Sequence, residues 1–459
     1  MTQAIKPTRR DFLQRSVWAG AATTLAVACR AEAGEERLPW RVGTGSAEIT
    51  PPLDVGILMS SGRRLWKPFE GVRLPLLARA AVVANSDRRV AVVALDLLGL
   101  GDESIGGIGR FKQRVAASAG EKFQADDLVL CSSHTHSGPA SCGCTDLIRT
   151  KPFEKWVDRL VDQIGSAIKS AAGSLEPCRL TVGSRPAPGH CVNRRTRTTR
   201  GIRPYRTTLP PEEVIGPEGP TDESVNVAAF LGRSGRPVAL LVGATCHPVH
   251  EMCIPQVSPD FPGEMSVELE RRHPGSAVLF LQGAAGNVNP PTVSDGAAAA
   301  RKHGHRLADV VDKTFGSLRR IEGDDLALCW QTVKMPARDP TGQPLPKPLA
   351  TRIAALRLGR AAFCFLPGEP FIETSLAIRK ASPWEFTVVV GYAEEWIGYI
   401  PTDLAFDNGG YETRAGRWSK LRPGSENILR QEAIKLLRAE RLAGWAFKSG
   451  EQTCAIERT

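Results

Sequence analysis

The sequence predicts an α/β protein, a mixed β-sheet core covered by helices, on three observations. From Val42 onward, short apolar runs are separated by Gly/Pro turns. Amphipathic helical stretches lie between those runs. Several of the runs are apolar at every position, which predicts central strands covered on both faces rather than half-exposed ones.

Along the chain, the predicted strands are 78–84, 90–98, 127–132, 239–244, 277–282, 361–366 and 387–390. The stretch 154–172 predicts a helix, because Trp156, Leu160, Ile164 and Ile168 recur every four residues and fall on one face. The stretches 297–318 and 426–442 read the same way. Residues 195–220 are rich in Arg, Thr, Pro and Gly without periodicity, and 337–348 are similar. Both read as long surface loops, lips of a cleft. Neither an internal repeat nor a dividing linker is evident, so residues 34–459 are expected to form a single domain.

Composition narrows the class. Of 459 residues, 42% are hydrophobic and 24% charged, which excludes a disordered, collagen-like or coiled-coil chain. The net charge of +10 is a mild bias spread along the chain, whereas a nucleic-acid binder clusters it. No run approaches the roughly 18 apolar residues of a membrane span.

The N-terminus reads as a leader. Thr8-Arg9-Arg10-Asp11-Phe12-Leu13 is followed by an apolar run over 17–28 and then by Ala31-Glu32-Ala33, a small-x-small cleavage pattern. Residues 1–33 are therefore expected to be a twin-arginine export signal, which makes the protein periplasmic or secreted. The competing reading is a basic amphipathic helix that stays attached. Lipid attachment at Cys29 is less favoured, since Ala26-Val27-Ala28 lacks the usual leucine. Cleavage removes five basic and two acidic residues, bringing +10 to +7.

Eleven cysteines leave disulfide formation open in an exported protein. Cys131, Cys246, Cys329 and Cys364 lie in apolar segments and read as buried, inert thiols. No paired C-x-x-C spacing supports a zinc knuckle.

The strongest chemical signal is Cys131-Ser132-Ser133-His134-Thr135-His136-Ser137-Gly138-Pro139, which leaves a buried strand and delivers two histidines at i and i+2. Extended backbone would project both rings to one side, toward one metal or one substrate. Histidines bonded to backbone in a turn are the alternative. The predicted strand 239–244 also ends in histidine, at Cys246-His247-Pro248-Val249-His250-Glu251. A third ends in Leu366-Pro367-Gly368-Glu369, and a fourth leads to Trp396-Ile397-Gly398-Tyr399. Two histidines and a carboxylate with one open position is the ligand set of a catalytic zinc. Glu369 could instead begin a helix, and Tyr399 could be a core aromatic. Asp260 reads as a base, a substrate ligand or a helix cap.

These motifs, in order, resemble the catalytic domain of the neutral/alkaline ceramidases. The residues that carry the resemblance are Val42-Gly43-Thr44-Gly45, His134-Thr135-His136-Ser137-Gly138-Pro139, Asn193-Arg194, His247, Leu281-Gln282-Gly283-Ala284-Ala285-Gly286-Asn287, Leu366-Pro367-Gly368-Glu369 and Gly398-Tyr399-Ile400-Pro401-Thr402. The resemblance implies Zn2+ held by His134, His247, Glu369 and Tyr399. It also implies His136 beside the metal, Arg194 as a substrate contact and Tyr411 as a second active-site tyrosine. It differs at Asn289, which stands where the family has a serine, and the 48 residues after Tyr411 are too few for the immunoglobulin-like domain of larger ceramidases. An amide cannot attack a carbonyl as a hydroxyl does, but it can donate a hydrogen bond to an oxyanion.

The expected function is hydrolysis of an amide bond, N-acyl and ceramide-like, by metal-activated water. The alternatives are an esterase or lactonase on the same site, and a non-catalytic binding protein that keeps the fold. The expected partners are a small-molecule or lipid-like substrate, the membrane surface in peripheral contact and the twin-arginine export machinery, with no nucleic acid.

Overall fold

Strands that are apolar at every position need cover on both faces, and the arrangement of layers supplies it. The computed structural model describes residues 38–56, 68–205, 209–439 and 442. The predicted export signal over 1–33, with Cys29, lies outside them.

The larger sheet runs, in spatial order, Ala277–Gln282, Pro237–Ala244, Ser224–Gly232, Glu176–Pro186, Trp40–Glu48, Leu77–Ala84, Arg89–Leu95 and Leu128–Ser132, with Arg319–Arg320 also pairing with Glu176–Pro186. Along this path neighbours are antiparallel except at the two ends, where Pro237–Ala244 runs parallel to Ala277–Gln282 and Arg89–Leu95 parallel to Leu128–Ser132. A second sheet runs Leu326–Met335, Leu349–Leu358, Ala361–Phe365 and Phe386–Val390, the last two parallel.

Alternation along each strand assigns side chains to layers. Val90 and Val92 pack with Leu356, Phe363 and Val388 of the second sheet. Ala91, Val93 and Leu95 face the other way, onto helices Ile108–Ala119 and Lys151–Gly173. Helices Asp260–Arg272 and Ala297–Phe315 cover the rest of that face. The outer face of the second sheet packs on Ile372–Ala381 and Ser425–Arg438. The result is four layers: helices, sheet, sheet, helices. Glycines set one of these spacings, since a Cβ at Gly43 would lie 2.1 Å from the Ala171 carbonyl oxygen, directly under helix Lys151–Gly173.

The expected mixed sheet with covering helices is thus present, and all seven predicted strands and three predicted helices have counterparts. Others carry no strong pattern. Helix Asp260–Arg272 holds Pro262 and Gly263 in its first turn, where proline is tolerated but reads as a loop. Residues 195–220 correct the expectation of an irregular loop: Arg195–Thr198 is the centre of a three-stranded sheet with Gly201–Pro204 and Val214–Pro217. Threonine favours extended backbone, and Gly201 turns with φ +87°.

Candidate metal centre

Each of the three parallel strand pairs of the two large sheets contributes twice to one site. One strand leads to a candidate ligand, and its parallel neighbour leads to the group that orients it. His134 follows Leu128–Ser132, and its Nδ1 lies 2.5 Å from the carbonyl of Leu98, beyond the neighbouring strand Arg89–Leu95. His247 follows Pro237–Ala244, and its Nδ1 lies 2.7 Å from the carbonyl of Ala285, beyond Ala277–Gln282. Glu369 follows Ala361–Phe365; Trp396 Nε1 donates to its Oε1 at 3.0 Å and the Tyr392 hydroxyl lies 3.5 Å from its Oε2, both beyond Phe386–Val390.

Because each Nδ1 faces a carbonyl, it carries the proton, and each Nε2 presents a lone pair. The two Nε2 atoms lie 3.1 Å apart, and Glu369 Oε2 lies 3.4 Å from His134 Nε2 and 3.3 Å from His247 Nε2. Three acceptors that crowd together repel unless a cation lies among them. With metal–ligand bonds of about 2.0–2.1 Å, the edge of a ligand tetrahedron is about 3.3 Å. These donors therefore fit a zinc-class ion.

The electrostatics agree. Burial, then the Arg194 guanidinium, push the His247 ring down to about 4, so it stays neutral near pH 7.

The backbone approach is close. A Cβ at Gly286 would lie 2.5 Å from the Glu369 carbonyl oxygen, and one at Gly283 would lie 2.0 Å from Thr245 Oγ1. Gln282 ties the two histidine loops together: its Nε2 donates to the carbonyls of Ser133 and Cys246 at 3.0 and 2.8 Å, and its Oε1 accepts from the Cys246 amide at 3.2 Å.

His136 Nε2 lies 3.3 Å from His134 Nε2, with the rings edge-on. Their convergence does not come from extended backbone, as expected from the spacing. His134 has φ +70°, a left-handed conformation that is uncommon for a non-glycine residue and that turns the chain within one residue. Burial, then His134 and His247, push the His136 ring well below its usual value.

Tyr399 is buried and pairs in register with Glu369 across two short parallel strands. Burial pushes its phenol well above the ordinary value, against the pull of Arg194, whose guanidinium carbon lies 5.3 Å from its ring centre. Arg194 is fixed by Glu412, which accepts from its Nε at 2.8 Å and from Arg195 Nη1 at 2.6 Å. Arg194 Nη1 also lies 3.4 Å from His247 Nε2 and donates to Asn289 Oδ1 at 3.3 Å.

Arg194, Asn289 and Tyr411 line a cavity of about 530 Å³ whose rim includes Ile202 and Tyr205 of the three-stranded segment. Tyr411 is 43% exposed and stacks on Trp418. Asp260 is no part of this wall. Its carboxylate accepts from the amides of Glu251 and Phe261 at 2.8 and 2.6 Å, holding the loop after His247 to helix Asp260–Arg272.

The structure thus places His134, His136, His247, Glu369, Tyr399, Arg194, Asn289 and Tyr411 in one region and leaves Asp260 out of it. It adds Gln282, Tyr392, Trp396 and Glu412 as supports. Cys131, Cys246 and Cys364 are buried, Cys329 is half-buried, and no disulfide joins the described cysteines.

Fold and site together define a four-layer α/β protein with a His/His/Glu metal-binding geometry beside a cavity lined by both polar and apolar groups. Residues 40–200 match the family model for neutral/alkaline non-lysosomal ceramidase, N-terminal. The fold is similar to neutral ceramidase from Pseudomonas aeruginosa, at TM-score 0.71 and 20% identity over 92% of this chain and 77% of that one. It is equally similar to a ceramidase complexed with C2, at TM-score 0.72 and 19% identity over 91% and 78% of the two chains. The resemblance seen in the sequence motifs is therefore present in both the family match and the fold.

Proposed function

We propose that the protein is an exported zinc-dependent hydrolase that cleaves the amide bond of an N-acyl, ceramide-like substrate. The observation that carries this reading is the convergence of His134, His247 and Glu369 at 3.1–3.4 Å with each side chain held from behind. In this reading His134, His247, Glu369 and Tyr399 hold the ion. The chemistry zinc supplies in such a set is polarisation of a carbonyl and acidification of water toward a pKa of about 7.

The remaining residues act on the acyl group. The neutral His136 ring accepts and returns a proton. Arg194, fixed by Glu412, offers positive charge where an oxyanion forms. Tyr411 keeps its proton at neutral pH, as a phenol ordinarily does, and so donates to the oxyanion or to the leaving nitrogen. Asn289 has its oxygen committed to Arg194, which leaves its amide hydrogens for the substrate.

A lipid-like substrate brings peripheral contact with a membrane surface. The twin-arginine pattern over 8–13 and the small-x-small site at 31–33 support export to the periplasm or beyond.

The test is turnover of fluorogenic N-acyl amides and matched esters by zinc-loaded and chelated protein. Amide cleavage lost on chelation and restored by zinc is expected. Cleavage of esters alone would assign an esterase or lactonase, since metal-activated water attacks either carbonyl class. Turnover of neither class at full zinc loading would reject hydrolysis. N-terminal sequencing of exported protein should begin near Gly34, and an intact Met1 would reject the signal.

A further inference from the structure

A second group of buried imidazoles lies one residue away from the candidate centre. Cys246 precedes His247, and its sulfur and one ring nitrogen each of His190 and His303 lie within 4.8 Å of one another. All three side chains are buried. They come from three places: the turn after strand Glu176–Pro186, the loop after strand Pro237–Ala244, and helix Ala297–Phe315.

The protein leaves these donors poorly matched. Neither ring nitrogen of His190 has a well-aligned hydrogen bond, and burial pushes the ring down to about 4 against the pull of the Asp222 backbone. His303 Nε2 and His250 Nδ1 also have none. One contact orders the group: His250 Nε2 and His303 Nδ1 lie 3.1 Å apart, so Nε2 is the nitrogen His303 keeps for another partner. Phe261 stacks on the His303 ring at 4.1 Å and fixes its plane. Cys246 Sγ makes only long contacts, 3.7 and 3.8 Å, to the carbonyls of His190 and His247.

A buried polar atom without a partner is costly, because it has given up its hydrogen bonds to water. Several such nitrogens around one thiol form an arrangement that a thiophilic cation satisfies at a stroke. One thiolate with two imidazoles is a donor set for zinc-class transition metals, with a fourth position for water.

We infer that His190, Cys246 and His303 form a second transition-metal site, with His250 as the residue that orients His303. Binding breaks the Cys246 S–H bond, forms a sulfur–metal bond and releases the proton to solvent. Because Cys246 and His247 are adjacent, and Gln282 holds the Cys246 backbone from both sides, an ion there anchors the loop that carries His247. The site is thus a structural tie behind the candidate centre.

The test uses the full chain saturated with zinc and freed of excess metal, followed by elemental analysis. Wild type should hold two ions per chain, and His134→Ala and Cys246→Ser one each. Cobalt substitution then separates the sites, because the candidate hydrolytic centre contains no thiolate. A near-ultraviolet thiolate-to-cobalt charge-transfer band should appear in wild type and in His134→Ala, and vanish in Cys246→Ser. That band reports on the second site whether or not the protein hydrolyses anything, and its presence in wild type needs no variant to fold. Its absence from cobalt-saturated wild type, or its persistence in Cys246→Ser, would overturn the assignment.

Discussion

The two histidine clusters share the segment 246–247 but are supported differently. At the candidate centre, His134 and His247 each have Nδ1 against a carbonyl, and Glu369 accepts from an indole. In the cluster behind it, His190 has neither nitrogen well bonded, and a contact between two rings is the main order. The difference separates a site whose ligands are aimed before any ion arrives from one whose geometry an ion completes. Pre-aimed ligands suit turnover, since orientation is already paid for; a site completed by its ion suits stability.

The largest test of this contrast is His247→Ala. It should remove the ion of the candidate centre and lower amide turnover by about 10³-fold or more, since metal activation contributes several kcal/mol, while the cobalt–thiolate band persists. Loss of both signals together would mean that the clusters are a single unit.

Acid should unfold the metal-free protein through both clusters. His247 and His190 are each pushed by burial from 6.5 down to about 4. Between those values the folded chain binds fewer protons than the unfolded chain. The stability they contribute is therefore fully present above pH 6.5 and lost as pH falls toward about 4, on the order of 3 kcal/mol for each ring. Urea titrations of chelated protein from neutral pH to about pH 4 measure it, and a flat profile would mean that both rings find proton partners.

Two substitutions sharpen the candidate centre alone. Tyr411→Phe should retain zinc and lower turnover by about 100-fold, the contribution of a positioned proton donor; unchanged kinetics would make the phenol a bystander. Trp396→Phe removes the indole donor from Glu369 and should weaken zinc binding by about 10–100-fold, read by competition with a chelator. Unaltered affinity would show that Glu369 needs no such support.

The candidate ligands were legible in the sequence because each leaves an apolar strand, and strand ends are where α/β folds open onto ligands. Their supports were not. The groups facing His134 and His247 are the backbone carbonyls of Leu98 and Ala285, which every residue possesses, so no side chain advertises them. His190, Cys246 and His303 are far apart in sequence and follow no ligand spacing. The second sheet was half visible: Ala361–Phe365 is apolar throughout and Phe386–Val390 is interrupted only by Thr387, but Leu326–Met335 and Leu349–Leu358 carry Gln331, Lys334 and Arg352 among their apolar positions. Residues 195–220 failed for the opposite reason, because arginines and threonines that read as a solvated loop form strands.

The glycines at 283 and 286 have a consequence for how this protein can diversify. At Gly283 the Thr245 side chain fills the space a Cβ would need, and at Gly286 main chain lies almost against main chain, so any larger residue at 286 would force the Glu369 backbone away from the histidines and no trimming of neighbouring side chains could make room there. New substrates can be accommodated only where the wall is made of side chains, around Ile202, Tyr205 and Tyr411. On the proposed reading, the candidate ligands are thereby held in place while the choice of acyl group drifts at the mouth of the cavity.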